Sequence, residues 1–83
     1  MTKEEAIKKI NSVLTEEFEV DEEKITEDAD IFKTLDIDSL DVVDLVVDIE
    51  RNFGIKLKTE EMSNVNTIGK LYEYVWNKIE SKS

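Results

Sequence analysis

Apolar side chains recur every three or four positions in three stretches of the chain and fall irregularly between them, and this contrast lays out the elements. Ile7, Ile10, Leu14 and Phe18 share one face of a helix predicted over about residues 3 to 18, and Thr2 with Glu5 has the spacing of a capping box to start it. Residues 19 to 38 lose the rhythm. Val20, Ile25, Ile31, Phe32, Leu35 and Ile37 look like anchors pinning a long acidic connection onto a core, and a connection of that length in a compact domain tends to be functional. From Ser39 to Phe53 the helical pattern returns, with Gly54 placed to end it as a left-handed cap. Thr59 could start a short turn running through Met62. Thr67 could cap a last helix whose apolar stripe is Ile68, Leu71, Tyr72, Val75, Trp76 and Ile79. Ile55 to Leu57 has the look of a strand, but no second strand is available to pair with it.

The fold expected from this pattern is all-α: a bundle of three main helices plus one short helix, with a long loop between helices 1 and 2. The absence of proline and of any Asn-Gly hairpin signal agrees with it. With 83 residues there is room for one core and one domain, residues 1–83, so function has to sit on the surface of that core. Lacking histidine and cysteine, the chain has no means to build a Ser-His-Asp or Cys-His catalytic arrangement, a thiolate nucleophile or an imidazole or thiolate zinc site. A non-catalytic protein is expected. No apolar run approaches a membrane span or a secretory signal, which makes the cytoplasm the expected location.

Charge narrows the partners. At a net −10 the chain should be repelled by nucleic acid and by anionic lipid, leaving a basic protein surface as the natural counterpart. The excess is concentrated: residues 16 to 50 carry a net −13 and the remainder about +3. Crowding like charge around one helix opposes compaction, and a docking basic partner would offset that repulsion.

On a helical wheel at ~100° per residue with Leu40 at zero, the stretch 39 to 53 divides into three stripes. Val42, Leu45, Val46, Ile49 and Phe53 form one suited to face a core. Leu40, Val43 and Val47 form a second apolar row, and Asp41, Asp44 and Asp48 an acidic row beside it. The valines could all belong to one wide buried face. The concentrated charge favours instead a docking surface of Leu40, Asp41, Val43, Asp44, Val47 and Asp48, with Glu50 further along the helix. Arg51 interrupts the acidic side and could tune partner choice. Ser39 could be a plain helix cap, and Asp38 with Asp41 an alternative capping pair. The Asp36-x-Asp38-x-Leu40 run fails as an EF-hand because leucine stands at the third ligand and Asp41 where glycine is needed, so no dedicated metal site is expected.

The run Leu35-Asp36-Ile37-Asp38-Ser39-Leu40-Asp41, continued by Val42-Val43-Asp44-Leu45 and by Glu50-Arg51-Asn52-Phe53-Gly54-Ile55, resembles the acyl carrier protein family, which has an Asp-Ser-Leu motif at the start of its second helix. Ile25 to Phe32 resembles the family's long first loop, and Thr67-Ile68 with Tyr74-Val75 its last helix. Two positions depart from the family pattern: Asp36 stands where glycine is usual, and Leu57-Lys58 where a proline usually follows the second helix.

The resemblance implies that Ser39 carries 4′-phosphopantetheine, delivered from coenzyme A by a separate magnesium-dependent phosphopantetheinyl transferase, with Asp38 helping to orient that enzyme or its metal. It further implies a monomeric carrier of acyl thioesters that presents growing chains to fatty acid synthesis enzymes through their basic docking surfaces. The alternatives are a specialised carrier for polyketide, aminoacyl or lipid-modification chemistry, and an acidic interaction module that is never modified. An arm spanning roughly five extended residues, ~17 Å, would bring one cargo to successive active sites at high effective concentration.

Overall fold

The computed structural model describes residues 1–38 and 40–82. Helix α1 spans Lys3–Glu17 and starts on the expected capping box: Thr2 Oγ1 accepts from the Glu5 N–H at 3.2 Å, and the Glu5 carboxylate accepts from the Thr2 N–H at 3.1 Å. The Thr2 N–H holds the Glu5 carboxyl below the usual carboxylate range.

The long connection carries structure of its own: a 3-10 turn at Glu22–Lys24 and a short helix α2 at Ile31–Leu35. Asp30 starts α2 by accepting the Lys33 N–H at 3.1 Å. Ile31 and Leu35 are buried, so the irregular apolar positions are anchors as expected, with one helical turn formed among them. Asp36 ends α2 in the left-handed conformation at φ 55°. This is the position where the family usually has glycine, and aspartate is among the few other residues that tolerate it.

Helix α3 spans Val42–Phe53 and ends on Gly54 at φ 65°. Its start differs from the expected one: Leu40 and Asp41 lie in a turn, and Ser39 is outside the described residues. A 3-10 turn at Thr59–Asn64 leads to helix α4, Ile68–Lys82, where the Thr67 hydroxyl accepts the Lys70 N–H at 3.3 Å as a cap.

The core fills the space between these helices, with Ile10 and Leu14 of α1, Ile31 of α2, Leu45 and Ile49 of α3, and Ile68, Leu71 and Val75 of α4 fully buried. Trp76 departs from the expected stripe. It is half-buried and does not join the core cluster, because it sits at the edge of the apolar face, ~80° around the helix from Ile68.

The acidic connection is also tied directly to the start of α4. Ile68 donates to the Ala29 carbonyl and Gly69 to the Glu27 carbonyl, each at 3.0 Å, while Ile31 donates to the Asn66 carbonyl at 3.0 Å. Two amides of the first turn of α4, which no intrahelical bond could use, are thereby satisfied by a segment about 40 residues away in sequence. Gly69 makes this approach possible, since a Cβ there would stand 3.0 Å from the Glu27 carbonyl oxygen and 3.1 Å from the Glu27 Cβ. Glu27 cannot retreat without stretching the hydrogen bond it accepts. We expect Gly69→Ala to lower unfolding stability by about 1–3 kcal/mol, despite alanine's better helix propensity. A midpoint equal to or above wild type in urea would show that the loop yields.

Candidate docking and attachment site

The start of α3 is organised by two aspartates. Asp38 Oδ1 accepts the Leu40 N–H at 2.9 Å and the Asp41 N–H at 3.1 Å, and Asp41 Oδ2 accepts from the Asp38 N–H at 3.4 Å. This is the reciprocal logic of a capping box, built from the pair named as alternative caps in the sequence. The attachment expected at Ser39 itself falls outside the described residues, but its neighbours Asp38 and Leu40 are both exposed.

The helix that follows has the three expected faces. Val42, Leu45, Val46 and Ile49 are buried, and Phe53 is half-buried, its ring carrying the Lys9 ammonium 5.2 Å from the centroid. Val43 is 46% exposed and Val47 36%, with Leu40 in the preceding turn at 81%, so these three form an outer apolar row separate from the core. A single wide buried face is excluded. Asp41 and Asp44 are exposed beside this row and Asp48 is half-buried.

Glu50 is partly occupied within the chain. Its Oε2 accepts the Leu57 N–H at 2.9 Å, which ties the segment after α3 back to the helix. Tyr74 of α4 holds the next residue: its hydroxyl accepts the Lys58 N–H at 3.1 Å and donates to Glu61 at 2.8 Å, and Lys78 pairs with the same Glu61 carboxylate at 3.0 Å. Lys78 and Tyr74 hold the Glu61 carboxyl below the usual carboxylate range, while burial raises the Tyr74 hydroxyl. A proline at position 58 would have no N–H for Tyr74, so the departure from the family pattern noted there supplies an additional tie.

These ties set the 3-10 turn against α2 and α3, leaving a recess of about 170 Å³ lined by Phe32, Val42, Thr59, Glu60, Met62 and Ser63. Val42 lies two residues beyond Leu40, so the recess opens beside the start of α3. Sequence reading did not find it. The only local hint was the adjacent apolar pair Ile31-Phe32, of which Ile31 is buried and Phe32 is left half-buried. Among the described residues, no group of three or more carboxylates is placed to hold a metal ion.

These features fit a serine-linked phosphopantetheine group: an exposed turn ahead of α3 held by the Asp38 carboxylate, an outer apolar row and a nearby recess with apolar walls. Comparison with known proteins agrees. The family described as "Phosphopantetheine attachment site" matches residues 8–75. The acyl carrier protein of Thermotoga maritima is 37% identical over 78 residues, covering 94% of this chain and 96% of that protein. That of Lactobacillus johnsonii is 39% identical over 75 residues, covering 90% and 94% respectively. A solved structure of acyl carrier protein from Enterococcus faecalis superposes with a TM-score of 0.75 at 26% identity, covering 94% of this chain and 99% of that one. With the family match running over residues 8–75 and these relatives matching nearly its whole length, this chain belongs to the acyl carrier protein family, whose cofactor is covalently attached 4′-phosphopantetheine.

Proposed function

We propose that this chain is a single carrier unit that holds growing acyl groups on a phosphopantetheine arm at Ser39 and presents them to cytoplasmic fatty acid synthesis enzymes. The observation that carries the reading is the pairing of an exposed helix start with a recess walled by Phe32, Val42 and Met62, which suits an apolar chain better than a charged aminoacyl cargo. When bound, the arm supplies a thiol that carries the acyl group as a thioester. The protein's own residues supply position and recognition. With no histidine in the chain, the base that activates the Ser39 hydroxyl comes from the transferase, so this chain acts without catalysing. Among the described residues no helix is long and apolar enough to cross a membrane.

The test is elongation. Modified protein, given a malonyl donor and reconstituted fatty acid synthesis enzymes, should gain intact mass in two-carbon increments. Efficient loading by aminoacyl-activating or polyketide enzymes, with no elongation by fatty acid enzymes, would reassign the pathway.

Recognition is proposed to divide between the two outer rows. Charge at Asp41, Asp44 and Asp48 steers a basic partner, and Leu40, Val43 and Val47 provide the contact that holds it. Asp44→Lys should therefore reduce transferase efficiency about 3–10-fold at low salt, with the deficit shrinking as salt rises. The melting temperature should stay equal or increase, because a like-charge neighbour of Asp41 and Asp48 is removed. Unchanged transfer at every salt concentration would take Asp44 out of the docking face.

A further inference from the structure

The docking face carries one residue of the opposite sign. Arg51 lies on the last turn of α3 and is exposed. At ~100° per residue it sits about 20° from Asp44 and about 40° from Val47 around the helix, so it points with the outer rows and away from the core. It lies ~12 Å along the axis from Val43, at the far end of the face from Leu40.

A helical cation usually finds an acid one turn away, and Asp48 stands at that spacing. Nevertheless, among the described residues Arg51 makes no ion pair and no hydrogen bond. On this turn Asn52 Nδ2 donates to the Asp48 carbonyl at 2.7 Å, and the Glu50 carboxylate is engaged by the Leu57 N–H. The guanidinium is therefore presented outward, in a chain whose residues 16 to 50 otherwise hold a net −13. A cation near a helix C-terminus also favours the helix dipole, but that benefit is indifferent to which face it occupies. Arg51 occupies the partner face, where its fixed fork of donors matches a carboxylate.

We propose that Arg51 is a specificity-determining residue: the matching partner enzyme presents basic groups to Asp41, Asp44 and Asp48 and a carboxylate to Arg51, and an enzyme whose docking groove is basic throughout is disfavoured. This rests on the docking face proposed above. It turns a uniformly acidic recognition surface into a bipolar one, which selects partners by repulsion as well as by attraction.

The experiment measures kcat and KM for wild type, Arg51→Gln and Arg51→Glu with two probes across salt concentrations. One is a phosphopantetheinyl transferase with an entirely basic docking groove, and the other is the condensing enzyme from the source organism. Arg51→Glu should lower KM for the basic-groove transferase about 3–10-fold at low salt and raise it by a similar factor for the condensing enzyme, with kcat little changed. Arg51→Gln should fall between. Melting temperatures measured alongside separate docking from fold. Arg51 variants that match wild type with both probes, or that shift KM in the same direction with both, overturn the proposal. Failure of wild type itself to be modified would instead defeat the reading of Ser39, so the two failures are distinct.

Discussion

Incubated with coenzyme A, magnesium and a competent phosphopantetheinyl transferase, the wild-type chain gains the mass of one phosphopantetheinyl group and Ser39→Ala gains none. The contrast is all-or-none because no other side chain is proposed as acceptor. The turn that leads into α3 is held by the Asp38 carboxylate, which takes the Leu40 and Asp41 amides. Ser39→Ala is expected to melt within about 0.5 kcal/mol of wild type, so that a loss of modification reports attachment and not unfolding. Asp38 has two roles to separate. Asp38→Asn keeps a capping oxygen and should keep most of the stability, yet it should slow modification by removing the charge proposed to orient the transferase or its metal. Asp38→Ala should do both kinds of harm, with about 1 kcal/mol lost from the cap. Modification of Ser39→Ala, or none of wild type, would remove the central claim.

Ile49→Ala should lower unfolding stability by about 2–5 kcal/mol, whereas Val43→Ala, on the same helix, should cost well under about 1 kcal/mol. Ile49 is fully buried among the core residues of all the helices, so truncation removes transfer energy and leaves a cavity that its neighbours cannot fill. A domain of this size has ~5–15 kcal/mol in total, so the loss is a large fraction of it. Val43 is 46% exposed, and truncating it removes surface that water already reaches. Function should invert the ranking: folded Ile49→Ala protein at low temperature should be modified at near wild-type efficiency, while Val43→Ala should dissociate faster from partner enzymes. Urea midpoints with unchanged slopes give the stability difference. If Val43→Ala unfolded as readily as Ile49→Ala, α3 would be an ordinary core helix with no docking face.

Much of this site was legible along the chain because it is local. The helical spacing of Val42, Leu45, Val46 and Ile49 against Val43 and Val47 separates core from surface within a dozen residues, and the structure buries and exposes them accordingly. The Thr2-Glu5 box, the Asp38-Asp41 pair and Gly54 act on amides within three or four positions, so their spacing alone carried the information. The start of α3 was less legible. The apolar rhythm runs back to Leu40, but the turn closed by the Asp41 N–H to the Asp38 carbonyl at 3.1 Å delays the helix to Val42.

The sequence by itself thus determined the all-helical class, the three faces of α3, the concentration of acidic charge beside its outer apolar row and the motif that resembles a phosphopantetheine attachment site. Tertiary structure alone decided what those features enclose. The Tyr74 tie to Lys58 and Glu61, the Glu50 bond to Leu57 and the pairing of Ala29 and Glu27 with the first turn of α4 join residues from 7 to about 40 positions apart. No periodicity encodes such contacts, because each depends on where two separately formed elements come to rest. The recess between Phe32, Val42 and Met62 is a product of those placements, and Gly69 reveals its purpose only beside Glu27, where a single methyl group would push the loop away.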